Sequence, residues 1–217
     1  MKATSCKPAI LAAAEQTLAE QGFAATSLRQ ITAAAGVNLA AVNYHFGTKA
    51  ALISLVLQQM FTPLVEERLR NLEQITAGGR APLLEELLKA YYVPFFQYLD
   101  DREETGKRRR QIFSRLASEP DQEVRAEIAR IFGPIAEKYF SAFRQAVPHL
   151  SDEEFAWRFQ VMHGVVTMHF TDALSPMVSP SGHERASGEQ SFAWLLTYLC
   201  AAWRAGVTTA EVVNLSI

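Results

Sequence analysis

The densest grouping of side chains able to read another molecule lies between Ser27 and Lys49. Asn43 carries an amide that can pair with two atoms of a base edge, and the methyls of Ala40 and Ala41 suit thymine methyls. Those two alanines are also small enough for a helix backbone to approach a groove floor. Tyr44, His45, Thr48 and Lys49 add donors for phosphate oxygens, joined by the free amides of a following helix N-terminus. Ser27, Arg29, Asn38 and Leu39 complete a candidate set for contact with double-stranded DNA.

Such groups must be held on short, rigid helices, and the local spacing supplies them. Ser27 opens a helix, with Gln30 three residues later to complete a capping box, while Leu28 and Ile31 face inward. Gly36 can take the left-handed conformation that a tight inter-helix turn needs, and Val37 plugs the angle. Asn38 caps the next helix, which presents Leu39, Val42 and Phe46 on one side. Ahead of this pair, Ile10, Leu11, Ala14, Thr17 and Leu18 recur at helical spacing up to Gly22. Behind it, Thr48 caps a long helix with Pro63 as an expected kink.

The remaining sequence also reads as helix, with no strand-like alternation, so the expected class is all-α with nine or ten helices. Pro82 suits the first turn of a helix reaching about Leu99, and a charged turn precedes a helix from Lys107 to Ala117. Asp121 begins a helix that reaches about Val147, with a disturbance at Gly133-Pro134. Ser151 caps a helix ending near Leu174, residues 175–188 form a Ser-, Pro- and Gly-rich loop, and a last helix spans about 189–204.

Tyr91, Tyr92, Phe95, Phe96 and Tyr98 cluster around Pro94, a pattern that suits core packing or the wall of an apolar ligand cavity. Phe113, Phe132, Phe140 and Phe143 are candidates for the opposite wall. Arg115 is a candidate partner for an acidic ligand, and the run Lys107 to Arg110 reads either as a site for a phosphate or carboxylate or, more simply, as a solvated helix start paired with Glu103 and Glu104. His163 and His169 are six apart and so fall on different helix faces, which suits no metal. There is no Glu-x-x-His, phosphate-binding glycine loop, Gly-x-Ser-x-Gly or paired-cysteine motif. No enzyme activity, metal or cofactor is expected.

Half of the 217 residues are hydrophobic (49%) and the net charge is −2, which excludes a chain coated in basic residues for bulk nucleic-acid binding. The charge is uneven. Lys2, Lys7, Arg29 and Lys49 face only Glu15 and Glu20 before residue 54, leaving a small positive head on an acidic body. No apolar run reads as a membrane span or signal-peptide core, and Cys6 and Cys200 are too distant in sequence for a redox or zinc motif. A reduced, cytoplasmic setting without membrane attachment is expected.

Thr26 to Thr32, Ala35-Gly36-Val37, and Tyr44 to Leu52 together resemble the DNA-binding head of the TetR family of transcriptional regulators. Thr32 and Asn43 depart from that family's usual Ala and Tyr. The resemblance implies a head over residues 1–53 and a ligand-binding, dimerising domain over 54–217. It places Tyr91, Tyr92, Phe95, Phe96, Phe113 and Arg115 at an effector site. It also implies a homodimer joined through the last two long helices, by Trp157, Gly164, Met168, Trp194, Leu195 and Ala202. Phe155 to Arg158 and Met162 to Gly164 further resemble the PsrA-like branch, which implies a fatty acid or acyl derivative as effector. The rival expectation is an all-α carrier or enzyme that keeps a helix-turn-helix as scaffold.

Overall fold

The computed structural model describes residues 6–99, 104–171 and 188–207. Among these are nine helices and no strand: α1 (Cys6–Gln21), α2 (Leu28–Ala35), α3 (Leu39–Phe46), α4 (Lys49–Thr76), α5 (Leu84–Leu99), α6 (Glu104–Leu116), α7 (Gln122–Ala146), α8 (Asp152–Thr171) and α9 (Gly188–Arg204). The all-α expectation holds. Two compact units result: Met1–Glu67 with Gln97–Ile135, and Arg68–Phe96 with Ala136–Ile217. By sequence, α4, α5 and α7 each run from one unit into the other. No single described helix is long and apolar enough to cross a membrane.

In the first unit Ile10, Leu18, Ile31, Val42, Leu52 and Phe61 are fully buried, so α1 to α4 share one core. Helix α6 is clasped to α1 by charge as well as packing. Arg115 donates from Nε to the Ala19 carbonyl (3.1 Å) and from Nη2 to the Glu20 carbonyl (2.8 Å), and Arg108 meets Glu15 at 3.2 Å. The last carbonyls of a helix lack intrahelical donors and carry partial negative charge, so a guanidinium there satisfies both needs. Helix α6 begins at Glu104, a turn earlier than its basic run suggested, because an acidic residue suits a helix N-terminus. The expected loop at 175–188 lies outside the described residues except for Gly188, which opens α9.

Pro63, Pro94 and Pro134 sit inside α4, α5 and α7, within helices that the sequence placed around them. Pro94 removes the N–H that would pair with the Ala90 carbonyl. Two α4 side chains one turn apart answer this within the second unit. Asn71 Nδ2 reaches the Ala90 carbonyl at 3.5 Å, and Arg68 Nε donates to the Tyr91 carbonyl at 2.7 Å. In the first unit the Tyr98 hydroxyl similarly donates to the Met60 carbonyl, close to Pro63. Pro82 falls just ahead of α5, whose start is fixed by Glu86: its carboxylate accepts from the Leu83 amide and from Arg80.

The second unit is built on aromatic rings. Phe143 stacks on Trp203, which also packs on Phe155, and Phe96 touches both Phe170 and Phe192. Helices α8 and α9 are therefore antiparallel. Arg158 of α8 closes the other end, donating to the carbonyls of Ala202, Ala205 and Gly206 and pairing with Glu154.

His163 is half-buried beside Tyr91, Tyr92 and Arg68. Its Nδ1 lies 2.8 Å from the Phe159 carbonyl, which can only accept, so Nδ1 carries the proton and Nε2 accepts from the Tyr91 hydroxyl at 3.1 Å. Burial holds the imidazole below its ordinary value, and the Arg68 charge adds to this against the Phe159 hydrogen bond. The folded chain thus takes up this proton less readily than the unfolded chain. Stability is fully present above about pH 6.5 and is lost as pH falls below it. In thermal denaturation, acidification from about pH 7.5 to 5.5 should lower the melting temperature less in His163→Gln than in the wild type. Identical pH profiles would refute the assignment.

Candidate nucleic-acid interface

Helix α2 starts on Ser27, whose extended backbone and hydroxyl cap the Gln30 amide while the Gln30 side chain returns to the Ser27 amide. It ends on Gly36 in the left-handed conformation (φ 65°, ψ 33°), with the Val37 amide reaching back to the Thr32 carbonyl at 3.0 Å. That closure turns the chain within two residues and delivers it to Asn38. Asn38 Oδ1 then accepts from the Ala41 amide at 2.9 Å, capping α3. The buried Thr32, where the related head usually carries Ala, turns its hydroxyl onto the Arg29 carbonyl (2.9 Å) and so needs no partner outside its own helix.

Val42 anchors α3, and the opposite face is open. Leu39, Ala40, Asn43 and Tyr44 are exposed, Tyr44 by 83%, with Ala41 and His45 half-buried at the flanks. The offsets of one, four and five residues place the first four on one outward face. His45 lies edge-on between the rings of Tyr44 (5.1 Å) and Phe46 (6.1 Å). Gly47 takes φ 75° and ψ −66°, and the Thr48 amide bonds back to the Phe46 carbonyl at 2.9 Å. This tight three-residue turn brings the start of α4 directly behind α3. Thr48 caps α4 through the Ala51 amide (3.1 Å), and Arg29 is exposed on α2.

Lys49 is placed differently from a free phosphate donor. Its ammonium lies 2.9 Å from the Phe23 carbonyl, tying α4 to the turn after α1. An ammonium has three donors, so this bond leaves others for a phosphate. Beside it opens a hollow of about 590 Å³, floored by Phe23, Ile53 and Val124 and rimmed by Asp121, Glu123 and Glu127. Asp121 caps α7, and Glu127 is engaged by Gln58 and Arg130. That acidic rim repels phosphate, whereas the exposed α3 face carries no carboxylate.

Among the expected effector residues, Tyr91, Tyr92, Phe95 and Phe96 are buried in the second unit, whereas Phe113 and Arg115 belong to the first. The Arg115 guanidinium is engaged on α1 carbonyls. The expected dimer residues are mostly open: Trp157 is 63% and Trp194 62% exposed, Met168, Gly164 and Ala202 are exposed, and Leu195 is half-buried. Two matching stripes emerge, which join Val161, Tyr198 and Ala201 to the expected Trp157, Gly164, Met168 and Trp194. Trp157, Val161, Gly164 and Met168 line one face of α8, and Trp194, Tyr198 and Ala201 repeat the same spacing on α9. Because the helices are antiparallel, Trp157 lies level with Ala201, and Trp194 with Gly164.

Comparison with known proteins bears on this geometry. The family described as bacterial regulatory proteins, tetR family, matches residues 10–56, and the tetracyclin repressor-like C-terminal domain matches residues 89–202, just over half of the chain. The chain belongs to the TetR family. An HTH-type transcriptional repressor of Mycobacterium tuberculosis is 50% identical to it over 56 residues, 26% of this chain and 30% of that protein. The match therefore spans less than a third of that curated relative. The fold is shared over nearly the whole length with two solved TetR-like structures. The fatty acid degradation regulator FadR from Bacillus halodurans has TM-score 0.66 and 16% identity, covering 91% of this chain and 95% of that one. SmeT, the repressor of the Stenotrophomonas maltophilia multidrug efflux pump SmeDEF, has TM-score 0.61 and 22% identity, covering 93% and 92%.

Proposed function

We propose that this TetR family member is a homodimeric cytoplasmic repressor that leaves a palindromic DNA operator when a small apolar effector binds. The outward face of α3 carries this reading: a capped helix, held by the buried Val42, that presents an amide, two methyl-bearing positions and a phenol to solvent. Residues 1–53 act as the DNA head and residues 54–217 as the effector and dimer domain. In the dimer, the Trp157 and Trp194 stripes pair with those of a second copy, and two α3 helices enter successive major grooves about 34 Å apart. A fatty acid or acyl derivative is the leading effector class.

Coupling needs an element that belongs to both parts, and α4 is continuous through both units. The clasp of Arg108 and Arg115 on α1 gives α6 a second hold on the head. An effector that prefers a conformation with wrongly spaced α3 helices lowers DNA affinity by its differential affinity for the two states.

Fluorescence anisotropy with a palindromic fragment and a scrambled control, between about 50 and 200 mM salt, tests the DNA reading. Six or more phosphate contacts per dimer predict a logarithmic salt slope of roughly −5 or steeper, with the palindrome preferred. A flat salt response with no preference would leave the helix-turn-helix as scaffold and favour a carrier.

A further inference from the structure

Arg68 is the anomaly of the second unit. It is 3% exposed, yet among the described residues no carboxylate pairs with it. Its Nε donates to the Tyr91 carbonyl, and its guanidinium lies 4.0 Å from the Tyr91 ring centroid and 5.1 Å from that of Phe95. Repair of the backbone at Pro94 needs one neutral donor. It does not need a buried positive charge, which is costly without a counter-charge.

The same cluster holds a donor that lacks an acceptor. The Tyr92 hydroxyl is buried with no hydrogen-bond partner, in a residue only 2% exposed. Both groups flank Tyr91, whose ring centroid is 4.9 Å from that of Tyr92, 4.6 Å from Tyr139 and 5.5 Å from His163. His163 adds no charge, since its proton on Nδ1 and its acceptor Nε2 are both used by protein partners. Tyr139 donates to the Arg68 carbonyl at 2.8 Å and so is also engaged. A charge without a carboxylate partner and a hydroxyl without an acceptor thus lie within a shell of aromatic rings.

We propose that Arg68 and Tyr92 form the anion-binding end of the effector site, and that the effector is an apolar monocarboxylate. This rests on the effector reading above and deepens it. One guanidinium balances one negative charge, and its planar fork matches a carboxylate. The surrounding rings accept only an apolar body. Seating the acid spreads the rings packed around Tyr91, which supplies the differential interaction between two conformations that release of DNA requires.

The test uses the full chain without DNA, so that a failed operator does not mask a working effector site. Dodecanoate and 4-phenylbutyrate are compared with their primary amides by calorimetry and thermal shift, on the wild type, Arg68→Met and Tyr92→Phe. At least one acid should bind the wild type about tenfold or more tightly than its amide, an advantage that Arg68→Met abolishes. Tyr92→Phe should weaken the acid about threefold to tenfold without lowering the melting temperature of the free protein, because it deletes an unpartnered hydroxyl. Equal binding of acid and amide, an undiminished acid preference in both variants, or no binding of either acid would overturn the proposal. Acid binding by a chain that selects no operator would instead fault the repressor reading and leave this site standing.

Discussion

Glutamate at both Trp157 and Trp194 yields a folded monomer whose operator affinity falls by roughly a hundredfold or more, as expected when two linked half-site contacts become independent. Both indoles are more than half exposed, so neither is needed for the core around Phe143, Phe155 and Trp203. Their stripes on α8 and α9 form a contiguous apolar face of the kind that soluble chains cover with a partner. Each of the two indoles lies level with a small residue on the neighbouring helix, which allows close approach between copies. Burying a carboxylate there without a partner is costly, whereas on a free surface it costs little. Sedimentation should report a monomer with unchanged helical content. A dimer that persists, or a monomer that keeps full operator affinity, would place the interface elsewhere.

Asn43→Ala and Lys49→Ala should fail in opposite ways. Asn43 lies on the exposed face of α3, and loss of an amide paired to a base edge costs about 1–3 kcal/mol at one position of each half-site. The preferred base there should relax while the salt dependence stays unchanged. Lys49 sits at the start of α4, where an ammonium acts on phosphate without regard to sequence. Its loss should weaken binding to all sequences alike and flatten the salt slope by about 1 for each contact removed. Competition binding against a library randomised at each half-site position, repeated at two salt concentrations, separates the two. A Lys49 variant with unchanged affinity and slope would assign that residue to its bond with Phe23 alone.

The helix-turn-helix was legible in the sequence because its determinants are local. Ser27 with Gln30, Gly36, and Asn38 act within three or four residues of themselves, and the structure realises each cap as read. The prolines could be placed inside helices from the sequence, but what compensates for them is not local. Pro94 is tolerated through Asn71 and Arg68, more than 19 residues away in α4, which no spacing rule reveals. Lys49 and Arg115 share that difficulty, since their acceptors, Phe23 and the end of α1, are backbone carbonyls that carry no sequence signal. Arg68 did leave a trace. It interrupts the apolar stripe of Leu64, Val65 and Leu72 in α4, and a charge on a buried face asks for a counter-charge. The α8 and α9 stripes were partly visible as small residues among large ones, but only the burial pattern shows which face stays open.

Selection of genomic fragments by the purified chain, at low and at moderate salt, tests most directly whether α3 reads DNA. Recovery of one short palindrome, enriched at both salt concentrations, with half-sites about one helical turn apart is the expected result. Recovery of no sequence above background, with or without the apolar acids, would contradict the repressor and leave the exposed face of α3 without a DNA role.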